Sequence, residues 1–343
     1  MEHASPVPLV GPERQEGSAP FPSDPVAPSL ADRTRNAKSY SRAKLLLGAV
    51  KTGLFFLFSL VVLLTGLSTV LEEALRGVFQ NDYLVLLAFV FTLGAAEGIL
   101  TLPLRWYSGF HLEHRYRLSN QSFGTWVREG AKGMLIGGVI AGPIVIGVYF
   151  CLVTFGTLWW LPVGAFFVLL SVVLARIAPV LIFPLFYTFK PVEEGSLRDT
   201  VVGLCEKVGM QVTGVFVFDM SKNTKKANAA FAGIGKSKRV LLGDTLVTGF
   251  PEEEIETVFA HELGHYTLGH IGIMMVVGTV STFAGLYLTS LAYEASLGLF
   301  GLPGIATIAA LPLLSLWLGV FSLVSSPLLN ILSRSHENEA DRF

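Results

Sequence analysis

The chain has 343 residues, of which 52% are hydrophobic and only 15% charged, with a formal net charge of −1 and a mean hydropathy of +0.58. Soluble domains carry roughly 25% charged residues and one water-excluding core stops growing near about 250–300 residues, so the surplus apolar surface excludes an ordinary soluble globule and points to lipid. The near-neutral balance excludes a global basic field for nucleic acid; the two cysteines, Cys151 and Cys205, exclude a disulfide framework and read as small buried hydrophobes.

In chain order, the first segment is Pro-rich: seven of the 17 prolines, from Pro6 to Pro28, precede residue 32, and no apolar periodicity accompanies them. Residues 1–43 are therefore expected to form a disordered tail. A cleavable signal peptide would need a basic start and a short apolar stretch near the terminus, whereas the first apolar run begins near Leu45. The first span should accordingly stay in the membrane.

Six apolar segments are long enough to cross ~30 Å of hydrocarbon, at about 45–70, 83–106, 134–156, 158–187, 271–297 and 303–329. The third and fourth meet at a tight reversal whose Trp159 and Trp160 suit an interfacial belt. An even number of spans places both termini on one side. Of the 25 Lys and Arg residues, Arg76 is the only one in a far-side loop. The positive-inside rule then assigns the main polar segments, 107–133 and 188–270, and the C-terminal end to the cytoplasm. The chain divides into the tail, a four-span membrane domain at 44–187, a cytoplasmic segment at 188–270, two further spans at 271–332 and the start of a further helix at 333–343. Glu97 and Arg176 fall inside spans, where charges normally face a protein interior or a water-filled cavity, which suggests an internal polar chamber.

Within the cytoplasmic segment, Leu197, Val201, Leu204, Cys205 and Val208 form one stripe of a helix over Ser196 to Met210. Gly214 to Met220, Ala227 to Ala232 and Arg239 to Leu246 read as short strands. The next helix is opened by Pro251 at a first-turn position, and Glu252, Glu253 and Glu254 suit the positive end of its dipole. It runs through Ile255, Val258, Phe259 and Leu263 towards His270.

That helix carries His261-Glu262-Leu263-Gly264-His265. Residues i and i+4 lie one above the other, so both imidazoles can reach one metal, while Glu262, turned about 100° away, can reach a water on it. This is the zinc metallopeptidase arrangement, and composition alone would produce it roughly 0.008 times in a chain this long. A catalytic zinc wants three protein ligands and an open position. The C-terminal end, Ser333 to Phe343, returns polar groups to the same face of the membrane. Glu337 and Asp341 share a helix face at i, i+4, so one can bind metal while the other orients a ligand; His336 and Glu339 are competing choices.

Further pieces are Glu113 to Gln121 before the third span, Asn228-Ala229-Ala230-Phe231, Lys238 to Leu246, and His270. Together with the motifs above, and from about Leu102 onward, the chain resembles the type I CAAX prenyl endopeptidases, integral-membrane zinc metallopeptidases, with HtpX-type membrane proteases as more distant relatives. The resemblance implies an α-helical polytopic membrane protein with a cytoplasmic zincin-like domain containing a small β-sheet. It implies one zinc per chain, Glu337 as third ligand beside His261 and His265, Glu262 as the catalytic base, and Asp341 in support. The Asn228 segment would lie along the substrate as an edge strand, whose unpaired backbone groups can bind an extended peptide. Expected partners are a peptide or protein substrate, prenylated in CAAX processing, and membrane lipid, with no nucleic acid; the membrane is a bacterial inner membrane or the endoplasmic reticulum. Membrane-protein quality control is the enzymatic alternative, and an inactive membrane scaffold or binding protein is the alternative of another class. Family members often carry one more N-terminal span, where this chain has its Pro-rich tail. The family also continues beyond Glu-x-x-x-Asp with a further His and Arg, whereas this chain stops at Phe343: either the sequence is a fragment or truncated form, or those residues are absent, which bears on activity.

Two other signals carry less. Gly233-Ile234-Gly235-Lys236-Ser237 fails as a phosphate loop because Ala230 stands where the pattern requires Gly. Lys222, Lys225, Lys226, Lys236, Lys238 and Arg239 read as a solvated basic face attracted to anionic headgroups.

Overall fold

A computed structural model describes residues 30–232 and 238–343. Most of the expected tail, residues 1–29, and the Gly233 to Ser237 segment lie outside the described residues. The remainder of the tail differs from expectation: α1 runs from Leu30 to Leu64. After Pro28 the sequence has no further proline up to that point and is rich in Ala, Arg and Lys, so a helix nucleated in the span propagates backwards at little cost.

The first span ends earlier than expected, at Leu64, because Gly66 takes a left-handed φ of 69°, open to glycine without a Cβ penalty. A separate helix, α2 (Leu67–Arg76), follows. Then come α3 (Asp82–Trp106), a π-turn, α4 (Leu112–Arg115), α5 (Phe123–Phe155) and α6 (Trp160–Ile177). Asn81 caps α3 by accepting from the Tyr83 and Leu84 amides. Ser122 caps α5 through the Thr125 amide, so this helix starts a full eleven residues before the expected apolar boundary at 134. A second π-turn, Ala178–Ile182, leads into α7 (Phe183–Phe186). After the sheet segment, α11 (His270–Ser296) and α12 (Leu311–Ala340) return through the membrane region. Among the described residues, six helical stretches are long and apolar enough to cross a membrane: Thr34–Leu64, Asp82–Arg115, Phe123–Leu158, Trp160–Phe186, His270–Phe300 and Ile308–Ala340.

Residues Lys44–Phe343 form one compact unit, so the segments read separately along the chain fold together. One core gathers Leu152, Trp159, Val163, Tyr293 and Leu313 from four of the spans. Beside it, the buried Glu72 carboxylate of α2 accepts the Ala309 amide at 2.7 Å and Arg76 Nε at 2.9 Å, joining the loop after the first span to the lead-in of the last. Glu97 lines a cavity of about 180 Å³ with Ser59 and Ser315, between α1, α3 and α12.

The polar segment forms a four-stranded sheet in the order β1-β2-β4-β3, from β1 (Phe189–Pro191), β2 (Val215–Phe218), β3 (Ala229–Ala232) and β4 (Arg239–Gly243). β1 was not legible as a strand: three residues ending in proline carry no alternation, and its place is set by pairing with β2. The outer pairs are antiparallel and β2–β4 is parallel. The expected third strand stops at Gly243, since Asp244 opens α9 (Asp244–Gly249). Side chains alternate: Val215, Ala229, Val240 and Leu242 enter a second core with α8 (Ser196–Lys207) and α10 (Glu252–Thr267). Phe216, Arg239 and Leu241 occupy the other face.

Candidate active site

α10 buries Ile255, Phe259 and Leu263, an i, i+4, i+8 stripe that anchors the helix against the sheet. The rotation this imposes leaves His261, Glu262 and His265 along its open flank. The helix ends at Thr267, short of the expected His270, because Gly269 turns left-handed at φ 72°; His270 instead begins α11.

The C-terminal residues do not start a new helix. They continue α12 straight out of the last span, and α12 packs on α10. The approach depends on Gly264: a Cβ there would meet the Ala340 backbone at 3.3 Å and Phe343 Cβ at 3.1 Å. With no side chain in the way, α12 delivers Glu337. Its carboxylate oxygens lie 3.3 Å from His261 Nε2 and 3.7 Å from His265 Nε2, and the two Nε2 atoms are 3.3 Å apart.

Donors bonded tetrahedrally to zinc at 2.0–2.1 Å stand roughly 3.3–3.4 Å from one another. The two nitrogens and one carboxylate therefore match a shared metal ion in both chemistry and spacing, and all three donors fall within 4.8 Å of each other. The far sides of both rings are also occupied. His261 Nδ1 lies 2.8 Å from Asp341 Oδ1. His265 Nδ1 lies 3.0 Å from His270 Nδ1, and His270 Nε2 lies 3.1 Å from Glu339 Oε2. With both Nε2 atoms free to ligate, each Nδ1–H donates outward, and His270 accepts from His265 while donating to Glu339. Such partners fix the tautomer and orientation of ligating imidazoles.

His336 and Glu339, the competing ligand choices, stand away from the cluster: His336 stacks on His270 with ring centroids 4.1 Å apart, and Glu339 also accepts from Ser335 Oγ. The role of His270 was not legible, because position i+5 from His265 falls off the helix face and only the Gly269 turn brings it back.

Glu262 opens onto a cavity of about 570 Å³ with His265, Glu337, Ala230 and Phe231. Burial pushes its carboxyl above the ordinary glutamate range, against the pull of the two histidines and with a smaller push from Glu337. A raised basicity suits proton abstraction near neutral pH. β3 ends the sheet, so among the described residues the strand beside this cavity has one unpaired edge. Ala230 and Phe231 reach the cavity; Ala229 is buried in the core, and Asn228 is exposed at the start of the strand, where its carbonyl accepts the Gly243 amide.

Two histidines one helical turn apart, a carboxylate from a second helix, a half-buried glutamate and a free strand edge, all carried on a bundle of membrane-length helices, define a membrane metallopeptidase. Comparison with known proteins agrees. Residues 22–188 match the family described as CAAX prenyl protease N-terminal, five membrane helices, and residues 191–343 match peptidase family M48. The described part of the first stretch holds four of the six candidate spans. The metalloprotease YhfN of Bacillus subtilis is 30% identical over 97% of this chain and 78% of its own length. CAAX prenyl protease 1 of Saccharomyces cerevisiae is 34% identical over 57% of this chain, which covers 44% of that protein. The crystal structure of S. mikatae Ste24p superposes with a TM-score of 0.78 at 25% identity, over 91% of this chain and 78% of that one. The chain belongs to peptidase family M48. It spans less than half the length of the yeast relative.

Proposed function

We propose that this chain is a zinc metalloendopeptidase holding one zinc through His261, His265 and Glu337, and that it processes C-terminally prenylated proteins or peptides in the CAAX manner. The observation that carries the reading is the convergence of two Nε2 atoms and the Glu337 carboxylate at the spacing of tetrahedral ligands, beside Glu262 and an unpaired strand edge. When bound, zinc acts as a Lewis acid that acidifies water and polarises a scissile carbonyl. Glu262 takes the proton from the attacking water and returns it to the leaving amine. The edge of β3 receives the extended substrate backbone, with the Asn228 segment at its start. Asp341 and His270 hold the two imidazoles in place.

Support for an apolar substrate group comes from α11: Ile271, Met274 and Met275, in the first turns of a candidate span, line the same cavity as Glu262. The flexible methionines adapt to an irregular hydrocarbon. The distribution of Lys and Arg supports a site facing the cytoplasm.

The test is zinc content and cleavage by the detergent-solubilised chain, using a prenylated peptide and its unprenylated twin. One zinc per chain and cleavage restricted to the prenylated peptide are expected. Glu262→Gln should keep the zinc and lose about 10²–10⁴-fold in turnover. Equal cleavage of both peptides would move the reading to membrane-protein quality control; zinc without cleavage would make this chain a binding protein, and absence of zinc would overturn the enzyme reading.

A further inference from the structure

A third cavity, of about 430 Å³, opens where α6 and its π-turn meet the sheet face turned away from α10. Two arginines line it. Arg176 comes from the candidate span Trp160–Phe186, and Arg239 from β4. Among the described residues neither has a carboxylate partner, while Arg239 lies 5.3 Å over the Phe216 ring. Uncompensated charge within a span is costly and needs an interior or a ligand to face. The rest of the wall is apolar and aromatic, with Phe189, Phe216 and Leu241 from the sheet and Pro179 and Val180 from the π-turn.

The two rim lysines are each compensated, Lys132 by Glu129 at 3.3 Å and Lys222 by Asp219 at 3.1 Å, so among the described residues the unpaired charge at the cavity is that of the two arginines. Lys132 Nζ donates to the Leu185 carbonyl and Lys222 Nζ to the Phe186 carbonyl, both in α7 beside the cavity. The nearby Asp219 is engaged elsewhere, by the Thr188 amide and Lys222.

We propose that this cavity is a binding site for a phosphate ester, namely the headgroup of an anionic membrane phospholipid, held by Arg176 and Arg239 with the glycerol and upper acyl chain against the apolar wall. The planar guanidinium fork matches phosphate geometry. The cavity lies where the candidate span Trp160–Phe186 meets the sheet, with Arg176 inside the span and Arg239 beyond its end, so long arginine side chains from both sides can reach a headgroup at the membrane interface. The site is separate from the metal cluster, so its occupancy reads independently of peptidase activity.

The test uses the full chain in bilayer discs containing equal parts phosphatidylglycerol and phosphatidylcholine, released into native mass spectrometry. One retained phosphatidylglycerol per chain, in preference to phosphatidylcholine, is expected. Arg176→Gln and Arg239→Gln should each weaken retention about fivefold, while Lys190→Gln, which removes a nearby charge outside the cavity, should leave it unchanged. Arg239→Lys keeps the charge but loses the fork and should fall between, which protects the test if one glutamine variant folds poorly. Millimolar inorganic phosphate distinguishes the sources: no displacement supports the lipid, and displacement with the same arginine dependence identifies a free phosphate site instead and overturns the lipid assignment. Equal retention of the two lipids, or retention indifferent to both arginines, would overturn the proposal.

Discussion

His261 and His265 each turn one ring nitrogen toward Glu337 and the other toward a fixed partner, and this second ring of contacts gives the residue-scale predictions. Glu337→Ala removes a donor and should abolish stoichiometric zinc. Asp341→Ala and His270→Ala leave all three donors but release a ring, so each should weaken zinc affinity by about 10–100-fold, measured by competition with a chelator. Wild-type affinity in His270→Ala would mean that the His265–His270 contact does not hold the ligand. Glu262 contributes no donor and its substitution should leave affinity near wild type, which separates positioning from proton transfer.

At the scale of elements, the site depends on how closely α12 lies on α10. Gly264→Val places branched carbons where the Ala340 backbone stands, and overpacking of this kind costs about 1–3 kcal/mol. The expected outcome is displaced Glu337, visible as weakened zinc binding with helical content retained by circular dichroism. A different junction, between β2 and the end of α7, rests on Asp219, whose carboxylate accepts the Thr188 amide at 2.7 Å and Lys222 at 3.1 Å. Its pKa is lowered: burial pushes it up, and the Thr188 and Lys222 hydrogen bonds outweigh that. A carboxyl with a depressed folded pKa stabilises above its unfolded value and loses that contribution as pH falls through the folded one. Asp219→Asn should therefore lower the melting temperature at neutral pH, by of order 1 kcal/mol of stability, and the gap to wild type should close below about pH 4.

For the whole molecule, the membrane part and the metal site share α12, which is one helix from Leu311 to Ala340. Glu72, near the opposite end of that helix, secures the Ala309 amide. Glu72→Ala should cost about 1–3 kcal/mol, because a buried amide is left unpaired, while Glu72→Gln keeps an acceptor and should cost less. Zinc stoichiometry should survive both. Loss of zinc in Glu72→Ala with the bundle still folded would mean that the start of α12 also sets the placement of Glu337.

How much was legible in the chain itself follows from which interactions are local. Six membrane-length spans, the α10 stripe and the His261–Glu262–His265 pattern are written in runs and spacings of neighbouring residues, because helix geometry and bilayer thickness act over a few turns of one segment. Four groups in the C-terminal end remained open as metal ligand or support, since a sequence lists them at similar distances from the last span. The packing of α12 on α10 across Gly264 selected Glu337 for the donor cluster, and it placed Asp341 behind His261 and Glu339 behind His270. β1, too weak in pattern to be read, exists only because β2 offers it an edge, and His270 joins the site only through the turn at Gly269. Contacts between residues far apart in the chain depend on the angle and separation of packed helices, which no local spacing encodes; for that reason the sequence determined the chemistry available here, and the tertiary structure decided which groups meet.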